Sequence, residues 1–241
     1  MGINNEVQVS SRNRCVSRRV GAWIAFVSAC VFIIITVAIV MSKNNNAIKF
    51  KCNVQFSDPN SARHYPNATS HVYMISFDQK IMQARWVAYI QPAVRNSCAR
   101  CRYFRIDPYG INLLRDADYT NTKYDRGHLV PNADFGYDTY IISNVVPMNP
   151  IFNQKAWAAS EIEIRNSYPG KLIIKGCDYT EQHITTPSGT VLYIPAGCYY
   201  SVFNSRDVNN LGNLELLDYG YFENIPIPYM IRRLPSWVVC H

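Results

Sequence analysis

Apolar residues fill one long block near the start of the chain and then break into short runs of changing period. Residues 20–41 carry no charge over 22 positions. At a helical rise of about 1.5 Å per residue such a segment covers roughly 33 Å, enough to cross a hydrocarbon core of about 30 Å. The run exceeds the roughly 7–15 apolar residues of a cleaved signal, so the pattern predicts a membrane anchor rather than a removed leader. Arg12, Arg14, Arg18 and Arg19 precede it, while Lys43 and an Asn run follow. Basic flanks stay on the cytoplasmic side. The N-terminus is therefore expected in the cytoplasm and the bulk of the chain in a luminal or extracellular space, with the mitochondrial intermembrane space as the alternative.

Beyond the block, residues 42–66 are polar, punctuated by Asn, Ser and Pro, and read as a linker. Residues 71–77 and 84–90 are rich in β-branched and aromatic side chains about a polar turn at 78–80, the pattern of a hairpin. Residues 95–124 read mostly as loop. Residues 139–146 predict another strand, and 171–175, 191–195 and 198–203 predict three more. Residues 153–167 predict a helix, with Trp157, Glu161 and Ile164 recurring at helical spacing and Pro169-Gly170 ending it. The expected organisation is a tail (1–19), a transmembrane anchor (20–41), a linker (42–66) and one α+β domain (67–241).

Charge changes this picture little. The formal net charge is +7, but +4 of it lies in residues 1–43, which leaves +3 for the rest. A nearly balanced domain does not by itself call for an acidic partner. Cysteines say more: Cys52, Cys98, Cys101, Cys177, Cys198 and Cys240 form an even set in the part expected to face an oxidising compartment. Disulfides are the expectation, with connectivity open. Cys98 and Cys101 form a lone C-x2-C with no second ligand pair at zinc-site spacing. The sequon Asn67-Ala68-Thr69 fits the same side of a membrane as a glycoprotein site.

The chemistry concentrates in Asp125-Arg126-Gly127-His128, then Ser143-Asn144-Val145-Val146-Pro147, then Asn153-Gln154-Lys155-Ala156-Trp157, then Glu161. Phosphodiester hydrolysis needs a base for water, cations for the charge gathering on phosphate oxygens, and help for the leaving oxygen. A histidine suits the first role near neutral pH. An arginine fork matches phosphate oxygens. A hard Mg²⁺ ion prefers oxygen ligands and keeps several waters, so one amide oxygen can hold it loosely. Glu161 lies eight residues past Asn153, about 12 Å along a helix, which suits the metal's water shell better than joint ligation.

These four pieces, in this order and spacing, resemble the DNA/RNA non-specific endonuclease family, the Asp-Arg-Gly-His nucleases related to endonuclease G. The likeness extends more weakly over residues 71–208. It implies a ββα-metal nuclease fold with a central antiparallel sheet. It also implies a Mg²⁺- or Mn²⁺-dependent endonuclease acting on DNA and/or RNA with little sequence preference. On the same resemblance His128 is the general base, Asn153 the metal ligand and Glu161 its outer-shell partner. Asn144 orients the site and Arg126 contacts phosphate. Arg102, five residues before Asp107-Pro108, stands where some members place a transition-state arginine. Monomer and homodimer both stay open.

Taken singly, each residue has a plainer reading. A lone histidine is usually packed or solvated, as is expected for His64, His71, His183 and His241. Asn153 alone reads as a helix cap, Glu161 as a solvated helix residue, Trp157 as core. Arg100, Arg105 and Arg115 suit a phosphate groove as well as a solvated loop. Two other classes remain: a catalytically silent, membrane-anchored ectodomain binding nucleic acid or protein, and an adhesion or receptor ectodomain. The complete His128–Asn153–Glu161 set favours the enzyme, and divalent-ion dependence separates the classes.

Overall fold

The structure, a computed structural model, describes residues 50–55, 62–66, 72–95, 103–109 and 114–241. The expected anchor at 20–41, the sequon at Asn67, the Cys98–Cys101 pair, Arg100, Arg102 and His71 lie outside these residues. Among the described residues no helix is long and apolar enough to cross a membrane.

The strands run in chain order as β1 (Lys51–Val54), β2 (Ala62–Pro66), β3 (Val72–Asp78), β4 (Gln83–Ile90), β5 (Asp125–His128), β6 (Val145–Met148), β7 (Leu172–Thr185), β8 (Val191–Phe203), β9 (Leu214–Glu223), β10 (Met230–Ile231) and β11 (Val238–Cys240). A short helix α1 (Asn132–Phe135) and a longer one, α2 (Ala158–Ser167), accompany them, the latter continuing a π-helical segment at Phe152–Trp157. Nine strands form one sheet in the order β11-β1-β9-β8-β7-β4-β3-β2, with β10 on β9. Its pairings are antiparallel. β5 and β6 form a separate antiparallel ribbon.

Side chains alternate across a strand, and both faces of this sheet are covered. Tyr73, Ile75, Val87, Tyr89 and Ile173 enter a core shared with Leu129, Val146, Phe152, Trp157 and Ile164 from the ribbon and helix. Met74, Trp86, Ala88, Leu172 and Ile174 enter a second core with Phe203 and Leu214. Double coverage explains why β3, β4 and the first half of β7 read as almost unbroken apolar runs. The ribbon and helix thus sit on one face of the sheet as a strand–strand–helix unit.

Several boundaries differ from the sequence expectation. Within the interval read as linker, Lys51–Val54 and Ala62–Pro66 are strands of the sheet, and Cys52 is disulfide-bonded to Cys240. The strand expected at 139–146 is confined to Val145–Met148, preceded by 3-10 turns at Gly136–Thr139 and Ile142–Asn144. The reason is local: Asn144 folds its amide back onto the chain, and Ser143 bonds Asp107. The strands expected at 191–195 and 198–203 are one strand, β8, whose ladder to β7 shifts register beside Pro195. The helix begins ahead of Asn153, with helical backbone from Pro150. Asn149, not Asn153, caps it, its Oδ1 accepting from the N–H groups of Ile151 (3.0 Å) and Phe152 (3.4 Å).

Candidate active site

Strand alternation puts Arg126 and His128 on one side of β5, where Phe104 meets both. The His128 ring lies 5.0 Å from Phe104 and 4.9 Å from Tyr140, centroid to centroid. Its Nε2 is shielded from solvent and has no hydrogen-bond partner among the described residues. Burial first, then the positive charges of Lys175 and Arg126, lower its pKa to about 4. Near neutral pH the ring is therefore uncharged, with a lone pair available to take a proton. Gly127 between them is required by contact: a Cβ there would lie 2.3 Å from Met148 Sδ and 2.5 Å from its Cγ, in the facing strand.

Both ends of β5 are tied to the start of the helix. Asp125 Oδ2 accepts from Asn153 Nδ2 at 3.0 Å and from Gln154 Nε2 at 2.9 Å. Trp157 Nε1 donates to the His128 carbonyl at 3.1 Å. Residues 153–157 therefore run beside the four residues of the strand, which span only about 10 Å. A carboxylate only accepts, so Asp125 must face the amide nitrogen of Asn153. The Asn153 oxygen is thereby turned the other way, and an amide oxygen is a donor of the kind that could hold a hard cation. The turn that carries it is π-helical, a form that concentrates at functional sites. Among the described residues no three His, Cys, Asp or Glu side chains converge as a metal cage. The donor set suits a cation that keeps most of its water, not a zinc site.

Glu161 does not point into solvent. Its Oε1 accepts from Lys175 Nζ at 2.9 Å, and Lys175 is 0% exposed on β7 with its ammonium 4.7 Å from the Trp157 ring. Burial pushes the Glu161 carboxyl up and the Lys175 ammonium down, each opposed by the charge of the other. One turn further, Arg165 is bound by the buried Asp134 through Nε and, at 3.3 Å, through a second nitrogen.

The remaining expected residues are placed as follows. Asn144 is buried; its Oδ1 accepts from Val130 N–H (2.8 Å) and its Nδ2 donates to the carbonyls of Val130 (3.0 Å) and Thr139 (3.1 Å). Its amide ties the chain just after His128, at Val130, to Thr139. Arg126 is paired with Asp116 and sits 5.4 Å over Phe104. Arg105 lies over Tyr137 at 4.2 Å and donates to its carbonyl, and Arg115 is exposed. His64 lies on β2, and His183 and His241 are exposed. Sequence reasoning assigned no role to Asp125 or Lys175. Asp125 opens the Asp-Arg-Gly-His motif itself, and a lysine inside Leu-Ile-Ile-Lys-Gly-Cys (172–177) is a polar break in a buried run, so both left a signal.

The chain belongs to the DNA/RNA non-specific endonuclease family, whose sequence profile matches residues 52–234. It is 31% identical over 96 residues to mitochondrial endonuclease G of Bos taurus, covering 35% of this chain and 32% of that protein. A nuclease of Nostoc sp. is 27% identical over 135 residues, covering 52% and 43% respectively. The nuclease of Serratia marcescens is 31% identical over 106 residues, covering 39% and 40%. The chain thus spans between 32% and 43% of the length of these relatives. Among solved structures, a chain from a crystal structure of an EndoG/EndoGI complex aligns with a TM-score of 0.47 at 20% identity, covering 64% of this chain and 72% of that one.

Proposed function

We propose that this chain is a metal-dependent endonuclease hydrolysing phosphodiester bonds of DNA and/or RNA with little regard for sequence. The observation that carries this reading is the double tie between β5 and the helix start, which sets an oriented Asn153 oxygen beside the strand of an uncharged His128. The uncharged His128 ring takes the proton from the attacking water. Asn153, through Oδ1, would hold Mg²⁺ or Mn²⁺, with Glu161 at the edge of its water shell; the ion supplies charge neutralisation at the phosphate and the departing oxygen. Arg126 contacts a phosphate oxygen, exchanging part of its bond to Asp116. Arg102 is retained as a further cation for the transition state. Asn144 acts through the backbone after His128 and is a positioning residue. Residues 20–41 anchor the domain on the luminal or extracellular side of a membrane, a placement supported by the disulfides Cys52–Cys240 and Cys177–Cys198.

The test is degradation of plasmid and of RNA by the full chain, with Mg²⁺, with Mn²⁺ and with chelator, beside His128→Ala. Both substrates are expected to be cut in a metal-dependent manner, and the variant to lose about 10²-fold or more of the rate, as on removing a general base. A well-folded wild-type chain that cuts neither substrate under either ion would sink the catalytic reading in favour of a binding domain.

A further inference from the structure

Next to the metal-binding end of the proposed site lies a groove of about 630 Å³ with two polar walls. Residues 120–124 form one, residues 184–187 at the end of β7 form the other, and Asn149 closes it toward the helix. The groove abuts the catalytic ribbon through the chain itself. Tyr124 in its wall precedes Asp125, the residue that orients Asn153, and Asn149 caps the helix carrying that same Asn153.

The groove is built rather than incidental. Buried Asp118, beneath the first wall, accepts from the hydroxyls of Thr186 (3.2 Å) and Ser188 in the second, and from the Arg115 N–H at 2.7 Å. Ser188 in turn accepts from the Thr190 hydroxyl at 3.0 Å. Two loops distant in sequence are thus clamped to a common carboxylate, fixing the gap between them. The first wall also holds Asn121 (φ 62°) and Lys123 (φ 65°) in the left-handed region, which non-glycine residues seldom occupy. Thr122 braces that conformation, donating to the Tyr119 carbonyl at 2.9 Å and accepting from the Tyr124 N–H at 3.3 Å.

The lining has one cation and no carboxylate. Lys123 is exposed and makes no ion pair among the described residues, unlike Arg126, which Asp116 already holds. The exposed Thr120 and Thr185 hydroxyls and Asn121 amide suit sugar and phosphate oxygens, and Tyr124 offers a ring for a base. The volume is within the roughly 300–1,000 Å³ of sites that enclose a small organic group.

We propose that this groove is a subsite for the nucleic-acid strand flanking the cleaved bond, taking a nucleotide whose phosphate is met by Lys123. The proposal rests on the endonuclease reading and extends it from the reacting phosphate to the neighbouring one. It accounts for sequence tolerance: the recognising groups address sugar, phosphate and an aromatic face, not base edges.

The experiment is binding of a fluorescein-labelled single-stranded oligonucleotide to the full chain, followed by anisotropy across a salt series. Chelator is present so that nothing is cut. Wild type, Lys123→Gln and Lys123→Arg are compared, with cleavage of the same strand measured separately in Mg²⁺. For Lys123→Gln we expect affinity several-fold weaker near 0.1 M salt and a log–log salt slope smaller by about 0.7, the loss of one phosphate contact on a single strand. Lys123→Arg should keep the wild-type slope. In Mg²⁺ the loss should fall on KM, with kcat nearly kept, since the contact lies off the reacting atoms. If wild type binds and cuts while Lys123→Gln matches it in affinity and slope, the subsite is overturned and the endonuclease reading stands. If wild type neither binds nor cuts, both fall.

Discussion

His128 sits among three influences that all disfavour its charged form: burial, the Lys175 ammonium behind it and the Arg126 guanidinium on its own strand. The consequence for stability follows from the direction of the shift. Its pKa falls from an ordinary 6.5 to about 4 on folding. The unfolded chain therefore takes up a proton before the folded one does. His128 places no penalty on the native state above about pH 6.5, and the stability difference is lost progressively as pH drops from there to about 4, reaching on the order of 3 kcal/mol. Denaturant unfolding at pH 7.5 and pH 4.5 should show wild type losing more stability than His128→Gln, by roughly 2 kcal/mol or more. An equal loss in both proteins would mean that the ring protonates freely in the folded state. Activity should likewise keep its acid limb well below the ordinary histidine range. At this scale the candidate residues were readable, because His128, Asn153 and Glu161 stand at fixed intervals within the motif. Their partners were not. Nothing in the order of residues shows that Lys175 on β7 meets Glu161, which is 14 positions earlier.

The helix that carries Asn153 starts at Pro150 behind an Asn149 cap, and its start is a chemical device. Asn149 caps the free N–H groups, its carbonyl accepts from the Asn153 N–H at 2.8 Å, and its own N–H donates to Asn224 at 2.7 Å. Asn149→Ala should lower stability by about 1 kcal/mol, the usual cost of losing an asparagine cap. Because the same turn seats Asn153, the Mg²⁺ concentration for half-maximal activity should also rise several-fold. A Mg²⁺ titration of initial rates checks this; an unchanged midpoint beside the expected stability loss would assign the cap a purely structural role. The sequence marked this helix by its period but misplaced its origin, since an asparagine ahead of helical spacing occurs at both 149 and 153. Only the surrounding hydrogen bonds distinguish them. The expected strand at 139–146 failed for a related reason: its apolar residues are buried, but Asn144 spends its amide on Val130 and Thr139, which turns the chain.

At the scale of the whole sheet, one edge is built from strands far apart in the chain. β1 pairs with both β9 and β11, and the Cys52–Cys240 bond joins residues 188 apart, while Cys177–Cys198 joins directly opposed residues of β7 and β8. On the chain-entropy account a loop of the first length contributes about 5 kcal/mol and one of the second about 3 kcal/mol. Reduction should therefore lower the unfolding midpoint sharply, with most of the loss reproduced by Cys52→Ser with Cys240→Ser. Thiol labelling of protein drawn from cells under blocking conditions should find these four cysteines oxidised. Free thiols there would overturn the luminal or extracellular placement. The chain by itself determined the family, the β-rich character and an even cysteine set, because motif spacing and apolar period are written in local order. It could not determine that a stretch resembling a linker supplies β1, that Asp125 turns the Asn153 amide, or that Asp118 clamps two loops into a groove. Those depend on which distant segments pair, and pairing is set by the register of the sheet and the burial of both its faces, which exist only once the chain has folded.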